Sequence, residues 1–216
     1  HARPGDVLVA EELSHVLIYE FGGPAVHAGV ISVGVAGVHS RVTPEQVETV
    51  IGRSAYAVDQ RPAVLSLENT HNSAGGTVWP FADLDAVVGV AREHGLGVHL
   101  DGARLMNAAV AQGISPAEIA GRCDTVTLCL SKGLGCPLGA ILAGPAGLME
   151  RAWRAKHLFG GAMRQAGIVA AATDFLLARG VDVVLSNQSH PAWVKGLARR
   201  GFLVLADQAL RMARRT

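Results

Sequence analysis

Short apolar runs alternate with segments of helical periodicity along most of this 216-residue chain, and this alternation constrains its fold more than any other feature. The runs that we predict to be strands are residues 7–9, 30–33, 63–67, 98–100, 125–128 and 140–143. Strands that alternate with helices pair in parallel through crossovers, and ligands bind beyond the carboxyl ends of such strands. We therefore predict an α/β fold in which helices flank a mainly parallel sheet.

Two of the intervening segments carry specific helix signals. Thr43 precedes Pro44 and is followed three residues later by Gln46, which is the pattern of a capping box with proline at the first helical position. Further along, apolar residues recur at the spacing of an amphipathic helix that ends at Gly95, namely Leu84, Val87, Val88 and Ala91. In the last forty residues, the pattern predicts a strand over 181–185 and one or two short helices over 194–215.

The composition excludes several classes of protein. With 50% hydrophobic and 17% charged residues, the chain has too much apolar content to remain disordered. Its net charge of +1 provides no overall field for nucleic acid, and no apolar run approaches the roughly 20 residues that span a membrane. The three cysteines form no CxxC pair, which argues against a disulfide framework and a zinc site and favours buried thiols. We expect a cytoplasmic protein with no nucleic-acid, membrane or metal partner.

Polar clusters follow three of the predicted strands, where core packing does not require them. They span residues 68–76, 99–104 and 130–135. Because parallel strands end at the same edge of a sheet, we expect these clusters to bring a histidine, an aspartate, an arginine and a lysine to one crevice.

That set of side chains suits one cofactor chemistry. A strand-end amine such as Lys132 can form a Schiff base with a carbonyl, while Asp101 and Arg104 suit the pyridine nitrogen and phenolic oxygen of pyridoxal 5′-phosphate (PLP). Each residue also has an ordinary structural alternative: Asp101 and Arg104 as a helix N-cap and a surface pair, and Lys132 as an exposed loop cation. The three together favour the cofactor interpretation.

Several motifs, in this order and spacing from about residue 3 to residue 177, resemble those of the low-specificity L-threonine aldolases, which are fold-type I PLP enzymes of the β-eliminating lyase group. The matching stretches include Ser14-His15-Val16, Glu68-Asn69-Thr70-His71-Asn72, Asp101-Gly102-Ala103-Arg104, Leu130-Ser131-Lys132-Gly133-Leu134-Gly135 and Gly160-Gly161-Ala162-Met163-Arg164-Gln165. The resemblance implies the large PLP-binding domain of the aspartate aminotransferase-like superfamily over residues 1–177, with 178–216 as an unmatched carboxyl-terminal segment.

The resemblance also assigns roles to individual residues. Lys132 would carry the cofactor as a Schiff base, Asp101 would pair with the pyridine nitrogen, and Arg104 would contact the ring oxygen and the substrate carboxylate. His15 would stack on the ring, and Arg164 would help to bind the cofactor or its phosphate.

The reaction implied is cleavage of L-threonine or L-allo-threonine, or of a similar β-hydroxy-α-amino acid, to glycine and an aldehyde. His71 would lie beside the substrate hydroxyl, either as the base or as the holder of a water that acts as the base. For His15 and His71, the structural alternative is that each satisfies a buried backbone group. The other functional possibilities are a different fold-type I PLP lyase and a truncated, non-catalytic fragment.

The chain also departs from the family pattern. The family extends further at both ends, with a phosphate-binding loop upstream and a small domain downstream, so we expect this chain to be a fragment. His157 stands where the family usually has a lysine, and Ala162 replaces a glycine. The resemblance further implies a homodimer or homotetramer that acts on a small amino-acid substrate.

Overall fold

The computed structural model describes residues 1–56, 60–168, 170–171, 174, 183–184 and 203–204. The chain divides into two compact units, His1–Val126 and Thr127–Thr216.

The first unit contains a parallel sheet. Its strands are β1 (Val7–Glu11), β2 (Ile31–Val35), β3 (Pro62–Glu68), β4 (Gly97–Asp101) and the beginning of β5 (Thr125–Cys129), in the spatial order β2-β1-β3-β4-β5. The pairs β1–β2, β1–β3 and β3–β4 are all parallel, which confirms the predicted strands and their direction.

Helices connect these strands. They are α1 (His15–Ile18), α2 (Gly23–Ala28), α3 (Pro44–Tyr56), α4 (Phe81–Glu93), α5 (Leu105–Gln112) and α6 (Pro116–Ala120). The predicted capping box at α3 is present, because the Gln46 N–H donates to Thr43 Oγ1 at 3.3 Å and the Thr43 N–H donates to Gln46 Oε1 at 2.9 Å.

The core of the first unit lies on β1, β3 and β4. Strand β3 is buried from Ala63 to Glu68, as expected of an inner strand in a parallel sheet. Helix α4 packs against β4 and buries all four of its predicted apolar positions, Leu84, Val87, Val88 and Ala91. The amphipathic helix predicted from sequence is therefore confirmed.

The second unit contains the end of β5, then β6 (Ala140–Ala143) beside it, α7 (Ala146–Leu158), and a parallel pair of two-residue strands, β7 (Val183–Val184) and β8 (Leu203–Val204). Strand β7 confirms the central part of the strand predicted over 181–185. Within 194–215, where one or two short helices are predicted, Leu203–Val204 form a strand, and the other residues of this range lie outside the described residues. Residue 177, where the predicted large domain ends, and most of residues 178–216 also lie outside the described residues.

The three cysteines are free thiols. Cys136 is buried as predicted, whereas Cys123 and Cys129 are only half-buried. Within the described part of the chain, no helix combines the length and apolar character needed to cross a membrane.

Candidate active site

Three carboxylates end three neighbouring strands of the first unit. Glu11 is the last residue of β1, Glu68 of β3 and Asp101 of β4. Because these strands pair in parallel, their last residues lie along one edge of the sheet, which we call the carboxyl edge. Glu11 and Glu68 are buried and Asp101 is half-buried. The carboxyl edge is where the sequence predicts the site, and it is strongly acidic.

His71 lies in the loop that follows β3, held there by its backbone. Its N–H donates to the Thr77 carbonyl at 2.8 Å, and its carbonyl accepts from the Gly76 N–H at 2.9 Å. The imidazole is only 1% exposed and lies between two carboxylates: Nε2 is 3.0 Å from Glu11 Oε2 and 3.9 Å from Glu68 Oε2.

His71 Nε2 lies within ion-pairing distance of Glu11 Oε2 but forms no aligned hydrogen bond with it. Neither ring nitrogen of His71 has a partner that meets hydrogen-bond geometry. A buried polar group without an aligned partner is rare in a purely structural role. The alternative that the His71 ring serves to satisfy a buried backbone group is therefore not what the structure shows.

His15 lies at the start of α1, directly after the loop that leaves β1. Its backbone N–H donates to Glu68 Oε2 at 2.7 Å, so the buried end of β3 fixes the start of this helix. The ring remains 36% exposed on its side chain, with Nδ1 3.1 Å from Glu20 Oε1 and its centroid 5.2 Å from that of Tyr19. The His15 imidazole is thus held at its backbone and remains partly exposed, which leaves part of the ring accessible to a ligand.

Asp101 and Arg104 lie at the turn between β4 and α5. Asp101 Oδ1 accepts from the Ala103 N–H at 3.0 Å, and Arg104, itself half-buried, occupies the N-cap position of α5. No side chain caps this helix. Asp101 thus orders the turn before the helix, and the alternative that it is the N-cap does not match the structure.

In the second unit, Lys132 lies in the loop between β5 and β6. Its carbonyl accepts from the Gly135 N–H at 3.1 Å, and the Cys136 N–H donates to the Leu130 carbonyl at 3.0 Å, which closes a tight turn. Lys132 is half-buried between the buried residues Leu130 and Leu134. It is therefore not the fully exposed loop cation of the structural alternative.

Arg164 also belongs to the second unit and lies in a turn after α7, where it is exposed. The preceding helix carries Lys156, whose Nζ lies 5.0 Å from the centre of the Trp153 ring, and His157, whose Nδ1 is 3.0 Å from the Trp153 carbonyl. Both residues are exposed and contact Trp153 on their own helix. His157, which stands where the family usually has a lysine, is therefore directed toward Trp153.

The sequence did not predict the contact of Glu11 with His71 or that of Glu20 with His15. It also predicted no role for Glu68. Glu11 follows an apolar run directly, as Glu68 does, and that position was the available signal. Glu20 follows His15 by five residues, a spacing with no fixed meaning in sequence. Among the described residues, no group of His, Cys, Asp or Glu side chains is arranged to hold a metal ion.

A cavity of about 410 Å³ lies in the first unit between the carboxyl end of β2 and α3. Val35, Gln46 and Arg53 are among the residues that line it, and Val35 is the register partner of Glu11. None of the predicted site residues lines it.

Comparison with known proteins shows the family of this chain. A sequence profile described as "Beta-eliminating lyase" matches residues 1–215. The chain belongs to the beta-eliminating lyase family. It is 35% identical over 194 residues to the low specificity L-threonine aldolase of Escherichia coli K12, a match that covers 90% of this chain and 57% of that protein. The chain thus spans little more than half the length of this curated relative.

Solved structures of fold-type I enzymes superpose on this chain and share its fold. A protein from Exiguobacterium described as a candidate aromatic amino acid beta-eliminating lyase/threonine aldolase superposes with a TM-score of 0.69 at 28% identity, over 80% of this chain and 46% of that one. Aspartate aminotransferase from Thermus thermophilus gives a TM-score of 0.62 at 18% identity, over 83% of this chain and 45% of that one, and shows the fold alone. The predicted fold class and family are confirmed.

The beta-eliminating lyase family and its fold-type I neighbours depend on PLP, as the sequence predicts. The donor set at the carboxyl edge fits the ring of this cofactor, because a carboxylate (Asp101), a guanidinium (Arg104) and a partly exposed imidazole (His15) lie at or just after the ends of strands that finish at this edge. Lys132 supplies a half-buried amine in the second unit. The residues present therefore suit both the ring and the carbonyl carbon of PLP.

Proposed function

We propose that this chain is the core of a PLP-dependent aldolase that cleaves L-threonine, L-allo-threonine or a similar β-hydroxy-α-amino acid to glycine and an aldehyde. The observation that carries the proposal is its 35% identity, over 90% of its length, to a low specificity L-threonine aldolase. Support also comes from the acidic carboxyl edge, where two histidines accompany Asp101 and Arg104.

PLP, when bound, accepts the electron pair that is left at Cα when a bond to that carbon breaks. The residues of this chain bind and orient the reactants around that chemistry. The Asp101 carboxylate holds a proton on the pyridine nitrogen, Arg104 binds the ring oxygen and the substrate carboxylate, and His15 stacks on the ring. Lys132 provides the amine that attaches the cofactor, and Arg164 assists at its phosphate end.

His71 is proposed to handle the proton of the substrate hydroxyl. The imidazole is only 1% exposed, and His71 would act either as the base itself or as the holder of a water that takes this proton. Glu11, 3.0 Å from Nε2, would stabilise positive charge on the ring as the proton moves. Aldol cleavage requires such a base because the hydroxyl must lose its proton as the Cα–Cβ bond breaks.

We further propose that residues 1–177 form the cofactor-binding domain of a cytoplasmic homodimer or homotetramer. Exposed apolar side chains on the short helices of the first unit, such as Phe21 and Val26, support burial against another subunit.

The description of the family itself favours one second candidate. A beta-eliminating lyase expels a substituent from Cβ and releases a 2-oxo acid and ammonia (2-oxobutanoate in the case of L-threonine), and the same Lys132, Asp101 and Arg104 would serve that reaction.

Product analysis separates these functions. The full chain is incubated with PLP and L-threonine, and glycine and acetaldehyde are expected in equal amounts. 2-Oxobutanoate and ammonia without glycine would replace the aldolase proposal with β-elimination, and the absence of both sets of products would contradict both functions.

A pair of lysine variants tests the cofactor assignment in the same experiment. Lys132→Ala should lose the visible absorption band of the bound cofactor, whereas Lys156→Ala, which changes an exposed lysine beside Trp153, should keep it. A band that survives in Lys132→Ala would contradict the role of that residue.

A further inference from the structure

Glu68 is a buried carboxylate whose hydrogen bonds come from backbone N–H groups. It is 6% exposed at the end of β3, and its oxygens accept hydrogen bonds from two backbone N–H groups. Burying a carboxylate costs free energy unless hydrogen bonds replace its water. The two backbone hydrogen bonds to Glu68 replace part of the water that its carboxylate loses on burial.

The two N–H groups belong to the two segments that carry the candidate catalytic histidines. Glu68 Oε2 accepts from His15 at 2.7 Å, and Oε1 accepts from Asn72, the residue after His71, at 2.8 Å. One segment follows β1 and the other follows β3, so the two oxygens of one side chain join two different connections, and His15 in the first of them is 53 residues from Glu68 in the chain. Oε2 also lies 3.9 Å from His71 Nε2.

Glu11 strengthens the same arrangement from the end of β1. Its Oε2 accepts from the Leu13 N–H at 2.7 Å and lies 3.0 Å from His71 Nε2. His71 is thereby held between the carboxylates of two neighbouring strands, and one of those carboxylates also holds the backbone of His15.

We infer that Glu68 is a positioning residue that sets the spacing between His15 and His71. What the two histidines do to the ligand rests on the proposed function. The hydrogen-bonded bridge through Glu68 does not depend on it. The bridge requires a carboxylate, because both oxygens must accept. Glutamine offers one accepting oxygen, and its NH₂ group cannot accept from a backbone N–H.

Amide hydrogen exchange of the full chain without PLP tests the bridge directly. In the unsubstituted chain, the His15 and Asn72 amides should be protected. In Glu68→Gln, one of the two should exchange roughly 10- to 100-fold faster, since a hydrogen bond to a charged acceptor is lost, and in Glu68→Ala both should. Glu93→Gln, which removes the same charge from an exposed position at the end of α4, should change neither.

Kinetics with PLP and L-threonine test the positioning role. Because a displacement of about 1 Å can lower a rate roughly 100-fold, kcat of Glu68→Gln should fall to that extent while KM changes by less than about threefold. A purely structural role would instead lower the amount of folded protein, which circular dichroism measures, and leave kcat per folded molecule unchanged.

The outcomes separate the two ideas. Unprotected His15 and Asn72 amides in the unsubstituted chain would overturn the inference without any variant, as would unchanged exchange and kcat in a folded Glu68→Gln. If exchange responds as expected but threonine is not cleaved by the unsubstituted chain, the bridge stands and the aldolase proposal falls.

Discussion

Asp101 is the register partner of Glu68 on the adjacent parallel strand, and the Asn69 N–H donates to the Asp101 carbonyl at 3.0 Å. The backbone of Asp101 is therefore fixed against the segment that leads to His71. Its side chain is fixed as well, because Oδ1 accepts from the Ala103 N–H at 3.0 Å. An acidic group is held at one place on the carboxyl edge without needing a ligand to order it.

Asp101→Asn should impair activity without unfolding the chain. The amide oxygen of asparagine can still accept from the Ala103 N–H, but its side chain no longer carries the charge that holds a proton on the pyridine nitrogen. An opposite charge typically shifts a proton equilibrium by 1–3 units, so we expect kcat/KM for glycine formation to fall roughly 10- to 1000-fold. Asp83→Asn, on the exposed side of α4, is the matched control. Equal activity of the two variants would contradict the role of Asp101.

Leu65→Ala should strongly destabilise the first unit. Leu65 is fully buried in the inner strand β3, and removing such a side chain leaves a cavity that lowers the free energy of unfolding by about 2–5 kcal/mol. Leu13→Ala changes a leucine that is 45% exposed and should lower it by less than about 1 kcal/mol. Urea denaturation measures both, and similar losses in the two variants would show that β3 is not the core.

Cys123 should resist alkylation in the folded chain. Burial, assisted by the nearby Asp124 carboxylate, raises the pKa of the Cys123 thiol to about 12, although Arg92 acts in the opposite direction. The thiolate is the reactive form, so labelling by iodoacetamide at pH 8 should be roughly 1000-fold slower than for an unperturbed cysteine. Mass spectrometry of the Cys123 peptide, with a sample labelled in urea as reference, measures the ratio. Equal rates in the folded and unfolded samples would refute the prediction.

His99 should make the stability of the first unit depend on pH. Burial lowers the pKa of His99 because it disfavours the charged ring, while the Asp101 carboxylate acts in the opposite direction. The unfolded chain then binds the proton more readily, so the contribution is fully present above about pH 6.5 and is lost as the pH falls through the folded-state pKa. The urea midpoint should therefore drop more between pH 7.5 and pH 5 for the native chain than for His99→Gln. A drop that is at least as large in the variant would contradict this assignment.

The sequence was a good guide to the parallel sheet because buried strands have a strong composition signal. Every predicted strand from β1 to β6 is present, and the α3 and α4 signals were equally direct because capping and helical spacing act within a few residues. The region of β8 was wrongly predicted as helical, since a short apolar run such as Leu203–Val204 fits either a strand or part of a helix.

The short helix α6 had a local signal that was not used. Ser115 and Glu118 form a complete capping box, with Pro116 at the first helical position, and these three residues are sufficient to predict a helix start. The short helices α1 and α2 have weaker signals, because no side chain caps either of them.

The candidate site was predictable only in part. The positions of His71 and Asp101 follow from the strands that they leave, because the end of a strand places whatever comes next. The contacts of Glu11 and Glu68 could not be foreseen, since they depend on which strands are neighbours. Strand β1 pairs with β3, and that adjacency brings Glu11 to His71.

The same adjacency also fixes the order in which strands can pair during synthesis on the ribosome. Strand β1 precedes β2 and β3 in the chain but lies between them in the sheet. When β1 and β2 have both been made, one side of β1 still lacks its partner, and it stays so until Pro62–Glu68 has been translated. During that interval the nascent chain exposes an apolar strand with one unpaired edge, and chaperones bind such exposed segments.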